Sequence, residues 1–221
     1  MKGQFALIKF PLRERIEGFI QRHTDSLTKA TFEELHKKKR LSFYLECVEG
    51  RFEIPPEIEI RQTNAKRLRH ADTDEPVQRS LFDYVPDDLN EYEKNVALFV
   101  DRNPEVLWWY RNLVGEGNFA IQGHRRNPIY PDFVVQKGDA GRNQPMAKVL
   151  VVESKGKHLK GNEDTNYKRD IGKAFQEVGQ QVTWQELGAG FQGETFRFQV
   201  LDEGEYADRD WHGDLQRFLE S

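Results

Sequence analysis

The stretch YPDFVVQKGDAGRNQPMAKVLVVESKG, residues 130–156, contains two apolar runs that each have charged residues at one end. The first run follows a Pro-Asp pair that ends at Asp132. The second run, Val149–Val152, precedes Glu153 and Lys155. The polar, glycine-containing segment between the two runs predicts a hairpin of two strands. Four consecutive apolar residues before Glu153 indicate that the second strand is anchored in a buried sheet.

The charged residues at the strand ends predict a site for a divalent cation. Glu153 and Lys155 are two positions apart on a strand and therefore lie on the same face. A hairpin register could also bring Asp132 beside Glu153, and two such carboxylates repel each other unless a cation is present. Mg²⁺ suits this arrangement because it binds few carboxylates, keeps several waters and takes further ligands from phosphate. The three side chains therefore predict phosphodiester hydrolysis, with Lys155 orienting the attacking water.

The same residues resemble the signature of the PD-(D/E)xK nuclease superfamily. The "PD" that ends at Asp132 and the "ESK" that begins at Glu153 are 21 positions apart, an ordinary interval for that superfamily. The resemblance implies that Asp132 and Glu153 bind Mg²⁺, with Mn²⁺ able to substitute. It also implies that the carbonyl of Ser154 adds a metal ligand and that Lys155 positions the attacking water.

A second resemblance covers about residues 80–180. The blocks NEYEKNVALFVD, VLWWYRN, YPDFVV and VVESKG are similar to the C-terminal nuclease region of the Res subunit of type III restriction enzymes and related helicase–nuclease proteins. This resemblance implies an α/β fold with a restriction-endonuclease-like three-layer core, in which helices flank a mixed β-sheet. It also implies a catalytic, metal-binding Glu in the helix before the sheet, for which Glu93 is the candidate and Glu91 the rival. Those relatives carry an ATP-driven helicase, whereas this sequence has no G-x-x-x-x-G-K-[ST] phosphate loop, so no ATP-dependent property is inferred.

Residues 1–85 predict a small N-terminal α/β module and linker. The apolar pattern predicts a strand over residues 5–10, two helices within 13–41 that are separated at Thr24–Ser26, and a hairpin over 41–62. Residues 86–221 predict the nuclease domain. The order there is a helix with Asp87, Asp88 and Asn90 as N-cap candidates, the strands in VLWWYRN, NFAIQ, IYPDFVV and AKVLVVESK, a helix over 165–181, the strand ETFRFQVLDE and a closing helix.

Cations on both sides of the expected metal site are candidates for binding DNA phosphates. The alternative for each is a solvated charged loop. The net charge of −4 argues against a basic shell over the whole surface but leaves a local patch open. The candidates are Arg111, His124, Arg125, Arg126, Lys157, His158, Lys160 and Lys168.

The sequence therefore predicts a Mg²⁺-dependent deoxyribonuclease, the endonuclease part of a restriction or helicase–nuclease system. The expected partners are DNA and, by family implication, a helicase/ATPase region and a methylation and specificity subunit. Two alternatives remain: a non-catalytic module that binds nucleic acid or a partner, and a repair-type nuclease that acts on DNA ends or structures. The single cysteine, Cys47, fits a reducing cytoplasm, and the absence of a long apolar run indicates no membrane span.

Overall fold

The structure is a computed structural model that describes residues 2–41, 57, 66–115, 118–138, 148–155, 163–179, 195–202 and 211–220. For residues 2–10, 148–149, 154–155, 179, 195–196 and 202 it describes the backbone alone. Within these ranges the chain forms four helices and four strands: α1 (Lys2–Lys37), α2 (Glu91–Arg102), β1 (Val106–Arg111), β2 (Phe133–Lys137), β3 (Lys148–Lys155), α3 (Glu163–Gly179), β4 (Thr195–Asp202) and α4 (Trp211–Glu220). None of the helices in these ranges is long and apolar enough to cross a membrane.

The four strands form one mixed sheet in the order β1-β2-β3-β4. β2 is antiparallel to both of its neighbours, and β3 is parallel to β4. Helix α3 lies between β3 and β4 in the sequence, as the crossover between two parallel strands requires. The predicted α/β class and mixed sheet are confirmed by this topology, and the two strands on either side of the predicted turn Lys137–Pro145 pair antiparallel.

The sheet is covered on both faces, which explains why its strands are apolar without strict alternation. On one face Phe133 and Val152 join a buried cluster with residues of α2 and α4. On the other face Val134 and Val151 join a second cluster, to which α3 contributes Ile171 and other side chains. Trp109 belongs to the first cluster and Trp108 packs against the second, so the two indoles lie on opposite faces.

The prediction for the N-terminal segment is wrong, because α1 is one continuous helix over Lys2–Lys37. Phe5, Ile8, Leu12 and Ile16 recur every three or four residues, and this helical spacing prevails over the apparent strand in residues 5–10. Pro11 lies inside the helix although it removes one backbone hydrogen bond.

The predicted break at Thr24–Ser26 is also wrong. The polar side chains of this region make hydrogen bonds along the helix surface and do not terminate it. Thr28 Oγ1 donates to the Thr24 carbonyl at 3.0 Å, and Gln21 Nε2 donates to Asp25 Oδ1 at 2.8 Å.

The segment NFAIQ is not an extended strand. Ile121 and Ile129 form an isolated antiparallel bridge, with hydrogen bonds of 2.8 and 2.9 Å in the two directions. The predicted hairpin over residues 41–62 lies almost entirely outside the described residues.

Residues 66–85 pack on the same core as α2. Leu68, Val77 and Val85 are buried in one cluster with Val96 of that helix. The predicted division near residue 85 therefore passes between segments that share a hydrophobic core.

Asp101 fixes residues 66–85 to α2 through a buried polar network. Its side chain is only 1% exposed, so its charge must be balanced by hydrogen bonds within the protein. Its carboxylate accepts hydrogen bonds from the backbone N–H of Gln78 at 3.0 Å and of Arg79 at 2.7 Å, and from Trp109 Nε1 at 2.9 Å. His70 Nε2 lies 2.8 Å from Oδ2. This nitrogen is the donor, because His70 Nδ1 accepts from Arg102 Nε.

The pKa of Asp101 predicts how its contribution to stability depends on pH. Burial alone would raise this pKa, but the hydrogen bonds from Gln78, Trp109, Arg79 and His70 outweigh burial and leave it lowered. The unfolded chain therefore binds a proton at Asp101 before the folded protein does, and stability falls as the pH decreases. We expect the difference in free energy of unfolding between wild type and Asp101→Asn to be constant above about pH 5 and to shrink below about pH 4. Urea unfolding at a series of pH values from above about pH 5 to below about pH 4 measures this difference in the free energy of unfolding. A difference that grows on acidification would contradict the lowered pKa of Asp101.

Candidate metal centre

Continuing the register of the antiparallel β2–β3 pair by one step would set Asp132, the residue before β2, across from Glu153. Phe133 pairs with Val152, so positions 132 and 153 are the next pair along the two chains. Residues directly opposite each other on antiparallel strands lie on the same face with their Cβ atoms about 5 Å apart. The register is consistent with the predicted proximity of these two acidic positions, which stays a prediction.

Asn112 holds the Pro131–Asp132 segment against the end of β1. Its backbone N–H donates to the Asp132 carbonyl at 2.8 Å, which continues the β1–β2 ladder by one step. Its buried side-chain amide donates to the carbonyls of Phe119 at 2.8 Å and Pro131 at 2.9 Å, and accepts from the Phe119 N–H at 3.0 Å. The sequence analysis missed Asn112, although a polar amide directly after a buried strand is a signal of such a role.

Glu153 is a buried carboxylate with a cation against it. The residue is 1% exposed, which makes an uncompensated negative charge very costly at this position. Lys168 of α3 provides a compensating charge, because its Nζ lies 2.6 Å from Glu153 Oε1. The Lys168 side chain is itself only 18% exposed, so this ion pair lies at the packed junction of α3 and the sheet.

Charges of alternating sign extend from this ion pair to the surface. Lys168 Nζ lies 4.0 Å from Asp164, which is one helical turn earlier on α3. Asp164 in turn contacts Arg125 at 3.2 Å, and the Arg125 guanidinium lies 4.2 Å from the ring centre of Tyr167. Burial raises the pKa of Tyr167, so its phenol stays protonated at neutral pH. Lys168 and Arg125, both predicted to contact phosphate, are therefore engaged with carboxylates of this chain.

Ser154 and Lys155 continue β3 to its end, where they pair with Leu201 and Asp202 of β4. By the alternation of a strand, position 155 lies on the same face as Glu153. The backbone thus places positions 153 and 155 near the end of β3, and position 132 directly before β2 at the same end of the sheet.

Glu93 caps a helix. It forms a capping box with Asn90, whose side chain accepts from the Glu93 N–H at 2.9 Å while Glu93 Oε2 accepts from the Asn90 N–H at 3.3 Å. The start of α2 lies near the same end of the sheet, because Asp88 is paired with Arg111 at the end of β1. The rival Glu91 is exposed in the first turn of α2.

The remaining predicted cations lie in different surroundings. His124 packs edge-on against Phe32 and Tyr167. Its pKa is lowered mainly by burial and further by the nearby positive charge of Arg125. A neutral imidazole is therefore favoured at pH 7, which argues against His124 as a phosphate-binding cation. Arg126 is exposed to solvent. Lys157, His158 and Lys160 lie outside the described residues.

The carboxylates of Asp132 and Glu153 would suit a magnesium ion that takes its remaining ligands from water and from a substrate phosphate. In the part of the chain that the structure describes, no three His, Cys, Asp or Glu side chains are grouped to hold a metal. A closed structural metal site is therefore unsupported among these residues, whereas Mg²⁺ commonly needs only one or two carboxylates plus water and phosphate.

Comparisons with protein-family models, with curated proteins and with solved structures gave no match to this chain.

Proposed function

We propose that this chain is a Mg²⁺-dependent deoxyribonuclease that hydrolyses phosphodiester bonds of DNA. The observation that supports the proposal is the β2–β3 register, whose last pair, Phe133 with Val152, directly precedes the acidic positions 132 and 153 at the end of the sheet. The order α2-β1-β2-β3-α3-β4-α4, with helices on both faces of a mixed sheet, supports a restriction-endonuclease-like core.

Asp132 and Glu153 are the residues that would hold the metal, with Mn²⁺ as a substitute. Mg²⁺ held there would supply Lewis acidity toward a phosphate group of the substrate. The carboxylates suit this task because Glu153 is nearly inaccessible and Asp132 directly precedes the neighbouring strand β2, where Asn112 bonds its backbone carbonyl. Ser154 would contribute its backbone carbonyl as a further ligand.

Lys155 would orient the attacking water, since it shares a strand face with Glu153. In the reaction, the water oxygen bonds to phosphorus, the bond to the 3′-oxygen breaks, and the 3′-oxygen leaves with a proton. The resulting 5′-phosphate and 3′-hydroxyl ends are those of the superfamily that the sequence resembles. Arg126 and the lysines at 157 and 160 are the candidates to hold the DNA backbone, which predicts little intrinsic reading of base sequence.

The resemblance to Res subunits supports a role for this activity in a restriction or helicase–nuclease system. In that setting a helicase/ATPase region would move DNA and a methylation and specificity subunit would select the site.

Metal dependence on plasmid DNA tests the proposal. Purified protein incubated with supercoiled plasmid should produce nicked and linear forms in Mg²⁺ or Mn²⁺. EDTA should abolish these products, and excess Mg²⁺ should restore them. A preparation that is folded by circular dichroism yet gives no metal-dependent product on circular, linear or flapped DNA would refute the proposal. Cleavage confined to linear or flapped DNA would favour a repair-type nuclease over a restriction-type endonuclease.

A further inference from the structure

We propose that Lys168 is a resident counter-ion of Glu153 that sets the metal affinity of this site. The inference rests on the proposed function, because it assumes that Glu153 is a metal ligand. It assigns Lys168 to the control of metal binding, where the sequence suggested a contact with DNA phosphate.

The first observation is the position of the ammonium group. Lys168 Nζ lies 2.6 Å from Glu153 Oε1, within the space that a metal ion bound to that oxygen would need. An ammonium and a divalent cation repel each other strongly in a partly buried site. Metal binding to Oε1 therefore requires Lys168 to move away or to share the carboxylate at reduced affinity.

The second observation is an alternative acceptor for the displaced ammonium. Asp164 lies 4.0 Å from Lys168 Nζ and 54% of its side chain is exposed, so a small rotation of the lysine brings the two together. Arg125 contacts Asp164 at 3.2 Å and holds its carboxylate near the lysine. Lys168 can thus move from Glu153 to Asp164 without losing a charged partner, which makes the ion pair exchangeable.

A merely structural ion pair would behave differently. It would fasten α3 to the sheet, and its removal would lower stability without strengthening metal binding. The discriminating measurement is therefore the dissociation constant of Mn²⁺ in the absence of DNA, read from the electron paramagnetic resonance signal of unbound Mn²⁺.

Lys168→Gln removes the positive charge but keeps a donor that can reach Glu153. We expect it to bind Mn²⁺ roughly tenfold more tightly than wild type, because the competing charge is gone. Lys168→Arg keeps the charge and, because a guanidinium can bind the Glu153 carboxylate bidentately, should bind Mn²⁺ no more tightly than wild type. The matched control is Lys173→Gln, which changes an exposed lysine of the same helix and should leave the dissociation constant unchanged. Lys168→Met provides a second neutral variant if Lys168→Gln folds poorly.

Equal or weaker Mn²⁺ binding by the neutral variants would overturn the inference, as would an absence of Mn²⁺ binding in both wild type and variants. The result is separable from the nuclease proposal. If the neutral variants bind Mn²⁺ more tightly while no protein cleaves DNA, the nuclease proposal fails and the role of Lys168 stands. If wild type cleaves DNA and the neutral variants bind Mn²⁺ no better, the role of Lys168 fails alone.

Discussion

Asp132→Ala is expected to lower the rate of Mg²⁺-dependent DNA cleavage by roughly a thousandfold or more. Alanine removes one of two carboxylates that would hold the metal, and Glu153 alone, already paired with Lys168, would bind it weakly. The fold should survive, because Asn112 binds the backbone carbonyls of Pro131 and Asp132 and makes no bond there that depends on the Asp132 side chain. Initial rates on supercoiled plasmid at saturating Mg²⁺ measure the effect.

The matched control for this prediction is Asp170→Ala. Asp170 is an exposed aspartate on α3, so the substitution makes the same chemical change away from the site. It should cleave at the wild-type rate. If Asp132→Ala cleaves as fast as Asp170→Ala, a contaminating nuclease or a different site is responsible, and the binding-module alternative gains support.

Asp101→Ala is expected to lower the free energy of unfolding by about 4 kcal/mol. The change leaves the N–H groups of Gln78, Arg79, Trp109 and His70 without their common acceptor in the interior. Single domains are stabilised by only about 5–15 kcal/mol, so such a loss is a large part of the total. The melting temperature should fall by roughly 8–16 °C. Urea unfolding followed by tryptophan fluorescence measures the loss, because Trp109 is one of the donors.

Asp72→Ala is the control for Asp101→Ala. Asp72 pairs with Arg102 at the protein surface, where solvent screens an ion pair and leaves it little effect on stability. The two substitutions therefore remove the same side chain from neighbouring parts of the structure with very different burial. If Asp101→Ala lowers the free energy of unfolding as little as Asp72→Ala does, the buried network contributes far less to stability than its hydrogen bonds indicate.

The sheet could be predicted from the sequence because its signals are local. The apolar runs on either side of residues 138–147 are too short for helices and end at polar residues, so they indicate paired strands. The antiparallel pairing of β2 with β3 then follows from hairpin geometry, and it is the basis for predicting that Asp132 and Glu153 lie close together. The presence of α2 could also be predicted locally, from its apolar spacing and the three N-cap candidates before it. Of these candidates the structure shows Asn90 as the cap, with Glu93 completing a capping box.

Two kinds of feature could not be predicted: those that depend on tertiary contacts, and segments whose apolar residues fit both the spacing of a strand and the spacing of a helix. The run at residues 5–10 satisfies both strand and helix spacing, and the proline after it favoured the wrong choice. The ion pair of Lys168 with Glu153 joins residues on different elements, so only the packing of α3 on the sheet reveals it. His70 and Asp101 are 31 positions apart, and nothing in either local segment indicates that they meet. The one available signal was that Asp101 follows the apolar positions Ala97 and Val100 of α2, which indicates that its carboxylate is near the buried side of the helix.

A crystal of the wild-type protein soaked in Mn²⁺, measured at a wavelength with manganese anomalous scattering, tests the central claim most directly. The claim predicts an anomalous peak between Asp132 and Glu153, with carboxylate oxygens about 2.1 Å from the ion. It also predicts that Lys168 Nζ has moved away from Glu153 Oε1 and toward Asp164. A map without a peak at these carboxylates, or with manganese bound only elsewhere on the chain, would contradict the assignment of this site.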